Sequence, residues 1–134
     1  MTTIKTIYTG DLRTTAIHLQ SGTELITDAP VDNQGKGEAF SPTDLLATSL
    51  GTCIITTIGI VSQNYEFNID GTAIETTKVM YSDPRRVGEL ILDFNFPPNN
   101  YTPKEKIIIE NTAKACPVAK SLHPDIKVIL NFNW

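Results

Sequence analysis

Cysteine is scarce in this chain, with only Cys53 and Cys116 among 134 residues. Small exported proteins held together by disulfides carry many cysteines, so a disulfide framework is not expected here. The N-terminal residues also lack the pattern of a secretory signal peptide. We therefore expect a cytoplasmic protein whose two thiols do redox chemistry.

Positive charge and long apolar runs are in short supply as well. The chain has 11 Lys and Arg against 15 Asp and Glu, for a net charge of −4. Nucleic acids and anionic membrane surfaces are bound by clusters of basic residues, which are missing here. The wholly apolar stretches extend over a few residues, whereas crossing a bilayer takes about 20. We expect a soluble protein with no nucleic-acid or membrane partner.

Signatures of metal or cofactor binding are also lacking. The two histidines, His18 and His123, have no ligand spacing to each other or to the cysteines, and a zinc site needs about four ligands. The sequence has no Ser-His-Asp order, phosphate loop or dinucleotide fingerprint. We predict no metal and no bound cofactor.

The pattern of β-prone and helical segments predicts an α+β fold in one domain, residues 1–134. The expected order is βββ-α-ββ-αα-β with mostly antiparallel pairing around a central helix that carries Cys53. Residues 28–40 read as a flexible connection. The helix after residue 102 is expected to bury Ile107, Ile108, Ala113 and Ala115. Strands are predicted over residues 4–9, 13–20, 24–27, 67–81, 87–96 and 126–132.

Two helix starts are specified by the same local pattern. Ser41-Pro42-Thr43-Asp44 places a capping hydroxyl before a proline and an acid at the third helical position. Thr102-Pro103-Lys104-Glu105 repeats this arrangement. The first helix is expected over residues 42–63, and Pro117 should interrupt the second. Cys116 is therefore predicted to lie at a helix break.

Five short sequences occur together in this chain. They are Gly10-Asp11-Leu12-Arg13, Ser21-Gly22, Ser41-Pro42-Thr43-Asp44-Leu45-Leu46, Gly51-Thr52-Cys53 and Cys116-Pro117-Val118-Ala119-Lys120-Ser121-Leu122. Together they resemble the OsmC/Ohr family of osmotically inducible and organic-hydroperoxide-resistance proteins. The resemblance covers nearly the whole chain, and its specific part is the combination of the helix cysteine, the downstream Cys-Pro-Val and an upstream arginine.

The resemblance implies an intertwined homodimer that reduces small organic hydroperoxides. Cys53 matches the peroxidatic cysteine, Cys116 the resolving cysteine and Arg13 the arginine that supports the thiolate. The two cysteines then form a disulfide in the cycle. An external dithiol reduces it, and in the best-studied branch this is a lipoylated protein. Only a thiolate attacks a peroxide oxygen, and an adjacent cation favours that form.

The chain departs from the peroxidase branch beside the helix start. In that branch a glutamate follows the proline and holds the arginine, whereas here Thr43 occupies this position and Asp44 comes one residue later. Asp44 could hold Arg13 or could be an ordinary capping acid. Cys53 lies about ten residues, or roughly 15 Å, further along the helix. Any help from position 43 or 44 must therefore come through Arg13 or from the partner subunit.

Other functions remain open from the sequence. A cysteine in an apolar helix is commonly a small buried hydrophobic residue. The protein could then bind small apolar molecules without turning over peroxide, a reading that the substitution at Thr43 motivates. A thiol redox sensor that signals through a protein partner is the third possibility.

Overall fold

A computed structural model describes residues 1–134 and has the predicted α+β order βββ-α-ββ-αα-β. The chain divides into two compact units, Met1–Leu46 and Ala47–Trp134. The strands are β1 (Ile4–Gly10), β2 (Arg13–His18), β3 (Glu24–Asp28), β4 (Ala73–Tyr81), β5 (Arg86–Asn95) and β6 (Lys127–Asn133). The helices are α1 (Pro42–Asn64), α2 (Pro103–Ala113) and α3 (Pro117–Ser121).

The unit Met1–Leu46 is built on an antiparallel sheet of β1, β2 and β3. The segment predicted as a flexible connection contains a short 3-10 helix, Val31–Asn33. It then returns to β3, where the Asp28 N–H donates to the Phe40 carbonyl at 3.1 Å. This return brings residues 38–40 back alongside the end of β3.

No apolar side chain of this unit is buried. Its buried residues are Thr27, Asp28 and Ser41, all polar. A three-stranded sheet is normally stabilised by covering one apolar face. The large apolar side chains that remain more than 40% exposed are Met1, Ile4, Ile7, Tyr8, Leu12, Leu19, Leu25, Ile26, Val31 and Phe40.

The unit Ala47–Trp134 contains a mixed sheet in the order β4-β5-β6. Strands β4 and β5 are antiparallel, whereas β6 runs parallel to β5. Strand β4 begins at Ala73 and not at residue 67 as predicted. Before it, the Asp70 N–H donates to the Asn68 side chain at 2.6 Å, and Gly71 has a φ of +86°. These local interactions make a turn where the apolar pattern suggested a strand.

The core of this unit lies between α1 and the sheet. Leu50, Ile54 and Ile58 recur every fourth residue on one face of α1, and all three are fully buried. They belong to the same cluster as Leu92 and Phe94 of β5. By length and hydropathy alone, α1 could cross a membrane. Its buried stripe is also what the core helix of a folded domain requires.

Helix α2 buries Ala113 as expected, but it presents a different isoleucine to the core, and Ala115, beyond its end, is exposed. Ile109 and Ala113, four residues apart, are buried. Ile107, predicted to be buried, is 58% exposed, and Ile108 is half-buried. Three consecutive isoleucines cannot all face the same side of a helix. Ile109 faces the core because it lies four residues before Ala113, on the same side of the helix.

Candidate functional site

Cys53 lies on α1, eleven residues after the first residue of the helix. Its side chain is half-buried and packs against the hydrophobic core. Ile54, the next residue, points fully into that core. Cys53 is thus held by a well-packed helix while remaining partly open to solvent.

Cys116 lies in the break between α2 and α3, as the position of Pro117 predicted. It is the N-cap of α3, and its Sγ atom accepts a hydrogen bond from the Ala119 N–H at 3.2 Å. Pro117 occupies the first helical position, where a missing N–H costs nothing. The Cys116 side chain is fully buried.

The structure brings the two thiols together within the unit Ala47–Trp134. Both are free cysteines, and Cys53 lies near enough to Cys116 to affect the pKa of its thiol. Burial is the largest cause that raises the pKa of the Cys116 thiol, and the nearby Cys53 raises it further. The hydrogen bond from the Ala119 N–H acts in the opposite direction but is outweighed. Cys116 therefore stays protonated at neutral pH, and Cys53 is the more accessible of the pair.

Arg13 belongs to a cluster of charges in the unit Met1–Leu46. It is the first residue of β2 and pairs with Asp28 across the sheet. Its Nη2 atom lies 3.4 Å from Asp28 Oδ2 and also donates to Glu38 Oε2. The Glu38 hydrogen bond is the largest cause that raises the pKa of Arg13. The arginine is permanently charged and bound by two acids.

The sequence did not predict that Asp28 and Glu38 bind Arg13. The strand register could have indicated Asp28, because a hairpin turning at residues 20–21 places residue 28 opposite residue 13. Glu38 gives no such signal, since its position depends on the fold of the irregular segment that follows β3.

Asp44 and Thr43, the candidate supporting residues, lie at the start of α1. The Asp44 carboxylate accepts the Ser41 N–H at 2.9 Å, and Ser41 Oγ accepts the Asp44 N–H at 3.1 Å. These two bonds form a capping box. Ser41 Oγ also lies 3.2 Å from Thr43 Oγ1. The capping interpretation of Asp44 is thus observed, and a further role for either residue in supporting Arg13 stays a prediction.

An apolar cavity of about 590 Å³ adjoins the Cys116 loop. Ala119, whose N–H bonds to the Cys116 sulfur, forms part of its wall. Apolar cavities of this size are typical of small-molecule sites. The lining residues are Ile54, Ala113, Ala119, Val128, Leu130 and Phe132, with Glu110 and Lys114.

The structure contains no group of three or more His, Cys, Asp or Glu side chains able to hold a metal ion. His18 instead bonds to Ser21, with 2.6 Å between Nδ1 and Oγ. His123 lies 3.7 Å from Asp125 at an exposed site.

Comparison with known proteins identifies the family. The sequence profile of OsmC-like proteins matches residues 35–131. A Psychrobacter arcticus protein, provisionally assigned to the osmotic stress induced and detoxification response, is 59% identical with a TM-score of 0.95. The alignment covers 99% of this chain and 96% of that one. A search of curated proteins found no significant match.

Two more distant structures share the fold. The OsmC-like protein from Mycoplasma pneumoniae has a TM-score of 0.80 and 20% identity, over 97% of this chain and 94% of that one. The organic hydroperoxide resistance protein OsmC from Legionella pneumophila has a TM-score of 0.77 and 14% identity, over 98% and 95% of the two chains. The match over residues 35–131, together with the close Psychrobacter relative, shows that this chain belongs to the OsmC-like protein family.

Proposed function

We propose that this protein is a thiol-dependent peroxidase that reduces organic hydroperoxides, and hydrogen peroxide more weakly, in defence against oxidative stress. The observation that carries the proposal is the pair of neighbouring free thiols, one half-exposed on α1 and one buried and protonated at the start of α3. Membership of a family that includes organic hydroperoxide resistance proteins supports it.

The proposed cycle assigns a different step to each thiol. The Cys53 thiolate attacks the terminal peroxide oxygen, which breaks the O–O bond and yields a Cys53 sulfenic acid and an alkoxide that takes a proton from water to become an alcohol. The Cys116 thiol then attacks the Cys53 sulfur, and water leaves as the disulfide forms. An external dithiol, such as a lipoylated protein, reduces the disulfide and is itself oxidised.

Arg13 is proposed to support the Cys53 thiolate. Its guanidinium keeps a full positive charge, and a cation near a thiol favours the reactive anion. In this scheme Arg13, Cys53 and Cys116 are the catalytic residues.

The test is peroxide turnover by the reduced protein, with cumene hydroperoxide or hydrogen peroxide and a dithiol reductant. We expect rapid dithiol-dependent turnover and a Cys53 to Cys116 disulfide in the mass spectrum. Cys53→Ser should be inactive, and Cys116→Ser should accumulate sulfinic or sulfonic acid at Cys53. Peroxide consumption no faster than by free cysteine would overturn the proposal.

We also propose that the protein acts as a homodimer. The unit Met1–Leu46 buries no apolar side chain, while Ile7 and Ile26 on its sheet remain 44% and 55% exposed. A second copy of the chain is the proposed cover, as the family resemblance implies. Light scattering should give a dimer for the wild type and a monomer for Ile26→Glu. The control Lys36→Glu, at an exposed loop position, should remain dimeric; a monomeric wild type would contradict the proposal.

A second candidate function is the binding of small apolar molecules, which the cavity beside Ala119 favours. A fluorescent apolar probe would bind the wild type, and Leu130→Gln should weaken its binding. Two results together would establish this second function. The wild type would bind the probe, and its peroxide turnover would be negligible and the same as that of Cys53→Ser.

A further inference from the structure

We propose that Glu38 and Asp28 are positioning residues that orient Arg13, and that Glu38 takes the role of the acid that the family places at position 43. The inference rests on the proposed function, in which Arg13 supports a reactive thiolate. It assigns a role to an irregular segment after β3 in which the sequence showed no candidate.

Asp28 is the fixed part of this arrangement. It is the last residue of β3, and its side chain is 1% exposed. One of its carboxylate oxygens, Oδ2, accepts hydrogen bonds from two donors. Arg13 Nη2 lies 3.4 Å from this atom, and the Glu38 N–H donates to it at 3.0 Å. Asp28 thus binds both the Arg13 guanidinium and the Glu38 backbone through a single oxygen atom.

The second oxygen of Asp28 makes no hydrogen bond within the chain. Oδ1 is buried, so the acid uses only one of its two oxygens for internal bonds. The bonds from Arg13 and from the Glu38 N–H therefore converge on the other oxygen, Oδ2.

Glu38 is the solvent-exposed partner of Arg13. Its side chain is 58% exposed, whereas that of Arg13 is 33% exposed. An exposed ion pair adds little to the free energy of unfolding. Removing the Glu38 carboxylate should consequently change the orientation of Arg13 without unfolding the protein.

The start of α1 explains why an acid elsewhere is useful. Thr43 carries no charge at the family's acidic position, and the Asp44 carboxylate is engaged by the Ser41 N–H as part of the helix cap. Glu38, five residues before Thr43, carries a carboxylate that accepts a direct hydrogen bond from Arg13 and is not part of the helix cap.

The first test uses Glu38→Gln, which removes the charge and preserves the size of the side chain. A role for Glu38 in orienting Arg13 and a purely electrostatic role predict opposite effects on the rate of peroxide reduction. Losing a negative charge beside Arg13 would speed the thiolate reaction, whereas a misoriented Arg13 would slow it. We expect a fall in the rate of peroxide reduction of about 10-fold to 100-fold, mainly in kcat. The control Glu24→Gln, the same change at an exposed position of the same sheet, should leave the rate unchanged.

A double variant separates positioning from a general structural role. If Glu38 acts through Arg13, then Arg13→Ala with Glu38→Gln should be no slower than Arg13→Ala alone. Additive losses in the double variant would overturn the inference. An unchanged or faster Glu38→Gln enzyme would overturn it too.

A measurement without peroxide distinguishes failure of this inference from failure of the proposed function. The chain has three arginines, Arg13, Arg85 and Arg86, so the side-chain NMR signals are readily assigned. The Arg13 Nη2 protons, which face both acids, should exchange slowly with water in the wild type and faster in Glu38→Gln. Equal exchange would show that Glu38 does not hold Arg13, whatever the activity. An inactive wild type with slow exchange would instead refute only the peroxidase role.

Discussion

Gly51 of α1 faces Leu92 of β5 with room between them for one methyl group. A Cβ atom placed on Gly51 would lie 3.5 Å from Leu92 Cδ2 and 3.6 Å from a side-chain carbon of Ile74. These are ordinary van der Waals distances, so the helix and sheet approach as closely as a methyl group allows. The position two residues before Cys53 is therefore set by a small residue in the core.

The first prediction concerns the size limit at Gly51. Gly51→Ala should stabilise the protein by up to about 1 kcal/mol, because alanine favours the helix and its methyl group fits. Gly51→Leu should destabilise it by about 1–3 kcal/mol through overpacking. Urea unfolding of the two variants checks this. Equal stability of both variants would mean that the helix can move away from the sheet.

The second prediction concerns the order in which the thiols react. In the reduced protein at neutral pH, iodoacetamide should modify Cys53 before Cys116. Cys116 is buried, and burial raises the pKa of its thiol, so it presents little thiolate. Peptide mass spectrometry over a time course measures the two rates, and we expect them to differ by at least about 10-fold. Faster labelling of Cys116 would reverse the proposed roles.

The third prediction follows from the raised pKa of Cys116. Below the ordinary pKa of a thiol, about 8.5, the folded and unfolded states both hold the proton. Above it the unfolded state releases the proton first, so the free energy of unfolding falls as the pH rises. The melting temperature of the reduced wild type should decline in this range. Cys116→Ser, whose hydroxyl can still accept the Ala119 N–H, should decline less.

The fourth prediction concerns acid stability. The hydrogen bond from the Glu38 N–H is the largest cause that lowers the pKa of Asp28, and Arg13 lowers it further. The stabilisation is complete above the ordinary pKa of aspartate, about 3.9, and is lost as the pH falls below it. Asp28→Asn should lower the melting temperature at pH 7 and flatten its decline in acid. The control Glu24→Gln should have the same melting temperature as the wild type at pH 7 and in acid.

The fifth prediction tests the start of α2. Thr102 Oγ1 accepts the Glu105 N–H at 3.2 Å, and the Glu105 carboxylate accepts the Thr102 N–H at 3.2 Å. Thr102→Ala removes one of these bonds and should cost about 1 kcal/mol of unfolding free energy. Thr102→Ser retains the oxygen and should cost little. A similar loss in both variants would show that the hydroxyl is not what stabilises the helix start.

The features that the sequence predicted well depend on short-range chemistry. The starts of α1 and α2 were correct because capping bonds join residues three apart, at Ser41 and at Thr102. The break before α3 was correct because Pro117 acts on its own backbone. Such interactions are visible in a few consecutive residues and survive in any tertiary context that keeps the helix.

The features that the sequence did not predict depend on long-range geometry. Which isoleucine of α2 faces inward is decided by the core, and Ile109 rather than Ile107 is buried. The two acids that hold Arg13 come from 15 and 25 residues further along the chain. The parallel alignment of β6 with β5 requires the chain to cross the unit through α2 and α3.

The sulfur of Cys116 is also the atom that begins α3, since it receives the Ala119 N–H. This sulfur therefore serves the fold both as a thiol and as the cap of the five-residue helix Pro117–Ser121. Any bond formed at Cys116 Sγ would change the acceptor that the first turn of α3 uses, so the chemistry of the thiol and the start of the helix depend on one atom.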